Sequence, residues 1–543
     1  MRFSRLIGVI GGVRASVLML VLVVVLAGCG GRASVPADPL ATAQDPSRTS
    51  GARLRAVAAL PGSVEAGDLS RDMATRALYG LAWQRRQTTA LRLAAIASLF
   101  ELAEGQSTES GAGSAARSLV LEMLPTERDR SVSADLSKRA AELGWTDAAA
   151  AIVRAFSDPD QQIEDRERGE HAALAALFPE REVVETVFAV FADPDLSGSG
   201  SPIWTSVGRS VGGAVAPGLE GRVRRDAWEL LSRLDASGEA RVRLLQQTVV
   251  DGSSVEDETL RALGDGLTIA RVIPLTGEEL EWLTAMRSDG AAAERWWGEL
   301  RGALKRLDAD QRRGMRLRHL EAVRWASVHR TPWLTLGRDG LIERITERLG
   351  GRVMRQRSVS TRATRTAAFA DHAAGMSWPA LLSLLVVDEA VHDARVLAGL
   401  SGQIPEDRAD RSTEYGGLLI ALDADEGDHA RDVGEFRAGL YRPRPSERVG
   451  DERFVASRFM IADSTLALAH YHFHAQRVDN TRYAGPSAGD LEYAARHGRL
   501  CLVFTTVGES EIDVDLYTPE GVVIGLGAVD LSVPVTETAA RRR

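Results

Sequence analysis

The feature that most limits what this chain can fold into is a change of hydrophobic period near Trp378. Upstream, from about residue 51 to 350, apolar residues recur at three- and four-residue spacing, which is the signature of amphipathic helices. The clearest stretches are 73–83, 89–102, 148–156, 170–178, 183–191, 222–234, 240–250 and 279–286. Acidic breaks such as Asp158-Pro159-Asp160 and Asp193-Pro194-Asp195 punctuate them. Downstream, a helix pattern over Pro379–Leu400 gives way to short alternating or fully apolar runs at 416–422, 453–462, 467–474, 500–506, 512–517 and 521–526, with turn-rich boundaries. A helix pattern at 488–497 lies among them. Serial short helices followed by strands predict two architectures in one chain.

The serial helices resemble HEAT-like α-solenoids, in which each pair buries its apolar face on its neighbours. An irregular helical bundle satisfies the same pattern. Residues 197–217, rich in Ser, Gly and Pro, interrupt it as a long loop or insertion. The expected organisation is therefore multidomain. An all-α, solenoid-like body spans 51–350, a linker 351–377, an α/β domain 378–530 and a tail 531–543. All ten tryptophans fall between Trp83 and Trp378, where they are expected to fill core or grooves.

The N-terminus belongs to targeting and not to the fold. Arg2, Arg5 and Arg14 precede the apolar run Val17–Leu26, which closes in Leu26-Ala27-Gly28-Cys29. That run is short for a membrane span, which needs ~20 apolar residues. The closing tetrapeptide resembles the lipobox of bacterial lipoproteins. The resemblance implies that residues 1–29 are a signal segment with a lipobox ending at Cys29, cleaved before Cys29, with a diacylglycerol on that cysteine and a membrane anchor. Gly30-Gly31, with no aspartate following, implies an outer-membrane address facing the periplasm. Residues 30–50 read as a flexible tether. Cys501 is the one other cysteine, so the mature chain has no pair of free thiols for an internal disulfide. The net charge of −9 excludes any general attraction to nucleic acid.

The densest chemistry is His470-Tyr471-His472-Phe473-His474. In a strand, side chains alternate, so the three histidines share one face and Tyr471 and Phe473 the other. Two such imidazoles reach one divalent metal, and a catalytic zinc needs a third protein ligand. Asp490 follows in Ser487-Ala488-Gly489-Asp490, at a predicted helix start where Ser487 would be the N-cap and Asp490 a first-turn acid. Upstream, Glu414 precedes the apolar strand Gly416-Gly417-Leu418-Leu419-Ile420.

A glutamate before a Gly-Leu-Leu strand, then His-x-His, then Ser-x-x-Asp, resembles the JAMM/MPN+ zinc metallopeptidase family, over about 150 residues of this chain. The resemblance implies an MPN/cytidine-deaminase-like α/β fold. It makes His472, His474 and Asp490 the zinc ligands, Glu414 the general base and Ser487 a donor to the oxyanion. Ala475 stands where the family has proline, and residues 475–486 form a longer loop than the family's. His470 leaves His470/His472 open as the ligand pair. The implied activity is that of a membrane-tethered peptide or isopeptide hydrolase, acting on a peptide or protein, with the helical body docking another protein. The alternatives are a non-catalytic scaffold lipoprotein with a degenerate MPN domain, and a non-peptidase metal enzyme using the three histidines.

Overall fold

The computed structural model describes residues 36–109, 111–160, 162–193, 219–250, 257–288, 290–352, 368–422, 435–451 and 453–532. The leader with Cys29, the loop 197–217, most of the linker 351–377 and the tail beyond 532 lie outside the described residues. Among the described residues no helix is long and apolar enough to cross a membrane. The chain divides into two compact units, residues 1–144 and 145–543.

The described part of the first unit is helical. Its main helices are α1 (Ser50–Glu65), α2 (Arg71–Trp83), α3 (Thr89–Ala103) and α4 (Arg130–Glu142). Thr49, Ser70, Thr88 and Asp129 each cap one by accepting an otherwise unpaired first-turn N–H. Val57, Leu60, Leu78, Ile96 and Leu99 form the buried stripe that the three- and four-residue spacing predicts. Within this core, Arg92 is paired with Glu127, and both are buried.

The second unit joins helices to a mixed six-stranded sheet. Its helices include α5 (Leu219–Leu234), α6 (Gly277–Ser288), α7 (Gly290–Lys305), α8 (Leu320–His329), α9 (Arg338–Gly350), α10 (Trp378–Val391) and α11 (Ala394–Ala409). The strands are β1 (Gly416–Ala421), β2 (Phe436–Tyr441), β3 (Ala467–His474), β4 (Cys501–Thr506), β5 (Glu511–Tyr517) and β6 (Val523–Asp530), in the order β2-β1-β3-β4-β5-β6. Only β3 and β4 pair in parallel. The parallel step needs a crossover, and it contains α13 (Ala488–His497).

Helix α10 is buried on every side from Leu381 to Val391, because it packs between α8, α9 and β3. Trp282 of α6 donates its indole N–H to the Thr465 carbonyl at 2.7 Å, and Arg352 donates to the Leu526 carbonyl at 2.9 Å. The change of texture at Trp378 thus falls inside a unit whose helices and sheet are tied together.

Two elements differ from the sequence pattern. The expected helix 379–400 is broken at Asp393, whose side chain accepts the Arg395 and Val396 N–H groups and starts α11 afresh. The run 453–462 is not a strand. Ser457 caps a short helix, α12 (Arg458–Asp463), and directs Met460 into the core. Strand β2 was not apparent from the pattern, because Arg437 and Gly439 dilute its alternation.

Candidate metal centre

Strand β3 is buried at every residue. Tyr471 and Phe473 pack on Phe504 across one face, and Tyr471 donates to Gln403 Oε1 at 2.6 Å. His470, His472 and His474 take the opposite face, as the alternation requires. There they meet α13 and its neighbours. His470 reaches Tyr493, and His472 reaches Asp490.

Glu414 lies just ahead of β1 and is fixed through its neighbour. Tyr415 donates its backbone N–H to Asp407 Oδ1 at 2.6 Å, and its carbonyl accepts from Phe473 N–H at 3.1 Å. The glycine pair behind Glu414 is required by space. A Cβ on Gly416 would sit 2.3 Å from the Phe454 ring and 2.4 Å from the Tyr471 carbonyl oxygen. That phenyl ring stacks on His472, with centroids 5.0 Å apart and planes 16° off parallel. On the far side of the site Ser487 and Asp490 form a reciprocal capping box: Ser487 N–H donates to Asp490 Oδ2 at 2.7 Å, and Asp490 N–H donates to Ser487 Oγ at 3.3 Å. The cap aims the remaining carboxylate oxygen at β3.

The geometry at the centre is tight. His472 Nε2 and His474 Nε2 are 3.3 Å apart, and Asp490 Oδ1 is 3.4 Å from His472 Nε2. Two donors ~2.0–2.1 Å from one tetrahedral zinc stand roughly 3.3–3.4 Å apart. His474 Nδ1 lies 2.7 Å from the Tyr483 carbonyl, which can only accept. His474 therefore carries its proton on Nδ1 and leaves the Nε2 lone pair for a metal. Glu414, His472 and His474 each place a ligand atom within 4.8 Å of the other two, and all three are buried. The structure thus brings together every residue expected from the sequence in the second unit. The Glu–His–His set is the most compact group, and Asp490 joins it through His472. His470 stands apart, bonded to the Tyr493 hydroxyl. Cys29 lies outside the described residues.

The electrostatics are set by burial and by the His472–Asp490 pair. Burial pushes the Glu414 carboxyl up to about 8, and the carboxylates of Asp490, Asp407 and Asp451 push the same way. Burial also raises Asp407 to about 7. Burial and the adjacent His472 lower His474 to about 4. For His472, burial works against the charged ring, but the Asp490 carboxylate outweighs it and raises the pKa. Asp490 shows the converse: burial opposes its charge, and His472 holds it well below the usual carboxylate range.

Several supporting residues carry no sequence motif. Gln476 donates to Glu414 Oε1 at 3.0 Å and is itself held by Asn480 at 2.6 Å. Its position, two beyond His474, continues the alternation of β3 and is the one signal that could have found it. Phe454 is placed by a loop, Tyr483 by a short 3-10 turn and Asp407 by the last turn of α11, and each meets the site only through the tertiary fold. Comparison with protein-family models, with characterised proteins and with solved structures found no match to the chain.

Proposed function

We propose that this chain is a zinc-dependent hydrolase of the amide or isopeptide class, of JAMM/MPN+ type. The observation that carries this reading is the spacing of His472 Nε2, His474 Nε2 and Asp490 Oδ1, whose 3.3 and 3.4 Å edges match a tetrahedral zinc. His472, His474 and Asp490 would hold the ion. Bound zinc supplies Lewis acidity, which polarises a carbonyl and lowers the pKa of water from ~15.7 to ~7.

The protein's own groups account for the rest of the chemistry. Glu414, buried within reach of both imidazoles, would take the proton of the attacking water on its carboxylate and deliver it to the departing amine. Gln476 fixes the carboxylate at Oε1. The Tyr483 carbonyl and the Phe454 ring lock the two imidazoles in place, as the partners of ligands do in metal sites. Ser487 is exposed, and its Oγ accepts from Asp490 N–H, so its hydroxyl hydrogen is free to reach a developing oxyanion. In this reading a lipid on Cys29 tethers the chain at the outer membrane facing the periplasm, and solenoid-like helices dock a peptide- or protein-bearing partner.

The test is the metal content of the chain from residue 30, measured by elemental mass spectrometry after zinc loading and dialysis. One zinc per chain is expected, lost in His474→Ala. A wild-type chain that retains none overturns the enzyme reading in favour of a non-catalytic interaction lipoprotein.

A further inference from the structure

A cavity of about 170 Å³ opens between α6, the segment around α12 and the junction of α13 with β4; its walls include Glu278, Glu281, Trp282, Ser464, His470 and Arg499. An engineered core cavity of ~150 Å³ holds benzene, so this one has room for a molecule the size of an amino acid.

Its inner wall is a donor surface. His470 is 1% exposed; its Nδ1 is 2.8 Å from the Tyr493 hydroxyl, and its buried Nε2 has no partner among the described residues. The Tyr493 hydroxyl has no other acceptor among the described residues, so its hydrogen is satisfied only by donating to Nδ1. The neutral ring then carries its own hydrogen on Nε2. Beside it, Arg499 is 6% exposed, stacks on the Trp282 indole 3.1 Å from the ring centroid, and donates to the Ser464 carbonyl at 2.9 Å and the Ser464 hydroxyl at 3.0 Å. No carboxylate pairs with it among the described residues. Burial pulls its pKa down to about 9 although Glu279 and Glu278 favour its charge from a distance, and an anion in direct contact would offset that cost.

The mouth has the opposite character. Glu278 and Glu281 share one guanidinium, that of Arg225; Glu278 also meets His497 Nδ1 at 3.3 Å, whereas Glu281 is half exposed and has no second partner among the described residues. Two acids against one arginine repel a purely anionic ligand and attract an ammonium. Trp282, Ala285, Ile461 and Ala462 supply apolar wall between the two ends.

We propose that this cavity binds a small zwitterion of the α-amino-acid type, with its carboxylate on Arg499 and His470 Nε2–H and its ammonium toward Glu281 and Glu278. The site is separate from the metal centre, with which it shares β3, and needs no zinc.

The test uses saturation-transfer NMR and calorimetry on the chain from residue 30, with and without chelator. L-valine is the zwitterionic probe, acetate carries only the anion and L-valinamide only the cation. L-valine is expected to bind at millimolar concentration or below, equally with and without chelator, and at least about tenfold more tightly than either single-charge probe. Arg499→Met should abolish binding of L-valine and acetate. Glu281→Gln changes an exposed residue that should not disturb folding; it should weaken L-valine several-fold and leave acetate unchanged. Absence of L-valine binding, equal binding of L-valinamide, or an unchanged L-valine affinity in Glu281→Gln overturns the proposal.

Discussion

Two buried acidic groups in the second unit receive opposite treatment. On α10, Asp388 accepts from Arg348 Nε at 2.7 Å and Arg352 Nη2 at 2.9 Å, while Glu389 meets Arg330 at 3.0 Å and Arg348 at 2.7 Å. Burial alone would raise Asp388, but the arginines and His392 hold it below the ordinary carboxylate value. Around β3, no arginine pairs with Glu414, Asp407 or Asp490 among the described residues. Asp407 Oδ2 is buried without a partner, and Glu414 is pushed up to about 8. The sheet face supplies histidine where the helix supplies arginine. Arginine closes an ion pair permanently, whereas a neutral imidazole leaves a lone pair for an exchangeable cation. The first cluster is complete as folded; in the second, His472 meets the Asp490 carboxylate while Glu414 and Asp407 stay raised, and Glu414, His472 and His474 could hold a metal ion.

The strongest attempt to break this contrast separates binding from chemistry at the second cluster. His474→Ala should lose zinc and hydrolysis together, because one of three protein ligands is gone. Glu414→Gln should keep the zinc and lose ~10²–10⁴-fold in rate, because an amide cannot take the proton. Metal content and turnover of a model amide, measured on the same samples, decide it. Loss of zinc from Glu414→Gln would make the carboxylate a ligand, which the compact Glu–His–His grouping also permits geometrically.

The next effect is on stability. Removing one partner of a buried ion pair costs about 3–5 kcal/mol. Arg348→Met removes one partner from each of Asp388 and Glu389, which keep Arg352 and Arg330, and should show a loss toward the lower end of that range in urea unfolding. The metal-free Glu414→Gln protein should instead gain about 1–3 kcal/mol at pH 7. The sign follows from the raised pKa. Folding must protonate or desolvate this carboxyl, so its contribution becomes more unfavourable as pH rises from about 4.5 toward about 8. An equal loss in both variants would mean that the two clusters are alike.

The sequence made one side of this contrast readable. Alternation along β3 put His470, His472 and His474 on one face, and the Ser-x-x-Asp spacing put Asp490 within one helical turn of its cap. Both follow from local geometry alone. The helical upstream part was legible for the same reason, since its apolar period survives without tertiary context. The partners were not legible. Arg348 and Asp388 meet across two helices, and Phe454 reaches His472 only because Gly416 has no side chain. The run 453–462 misled because its apolar residues fit a strand, while Ser457 made a helix start. Strand pairing and ion pairing depend on long-range register, which composition does not encode.

The smallest effect comes from an intermediate case, Glu278 at the cavity mouth. Burial opposes its charge, but His497 at 3.3 Å and the paired Arg225 overcome that and lower its pKa to about 2. A carboxyl lowered from 4.5 to about 2 stabilises the fold fully above 4.5, and the stabilisation is lost as pH falls toward 2. Wild type should therefore exceed Glu278→Gln in urea-unfolding stability near pH 6 by on the order of 1 kcal/mol, given its partial solvent screening. The margin should shrink steadily between pH 4.5 and pH 3. Comparing each variant with wild type at the same pH cancels the titration of every other acid. A margin that stays constant over this range would place Glu278 with neither cluster, since its charge would then contribute nothing through Arg225 or His497.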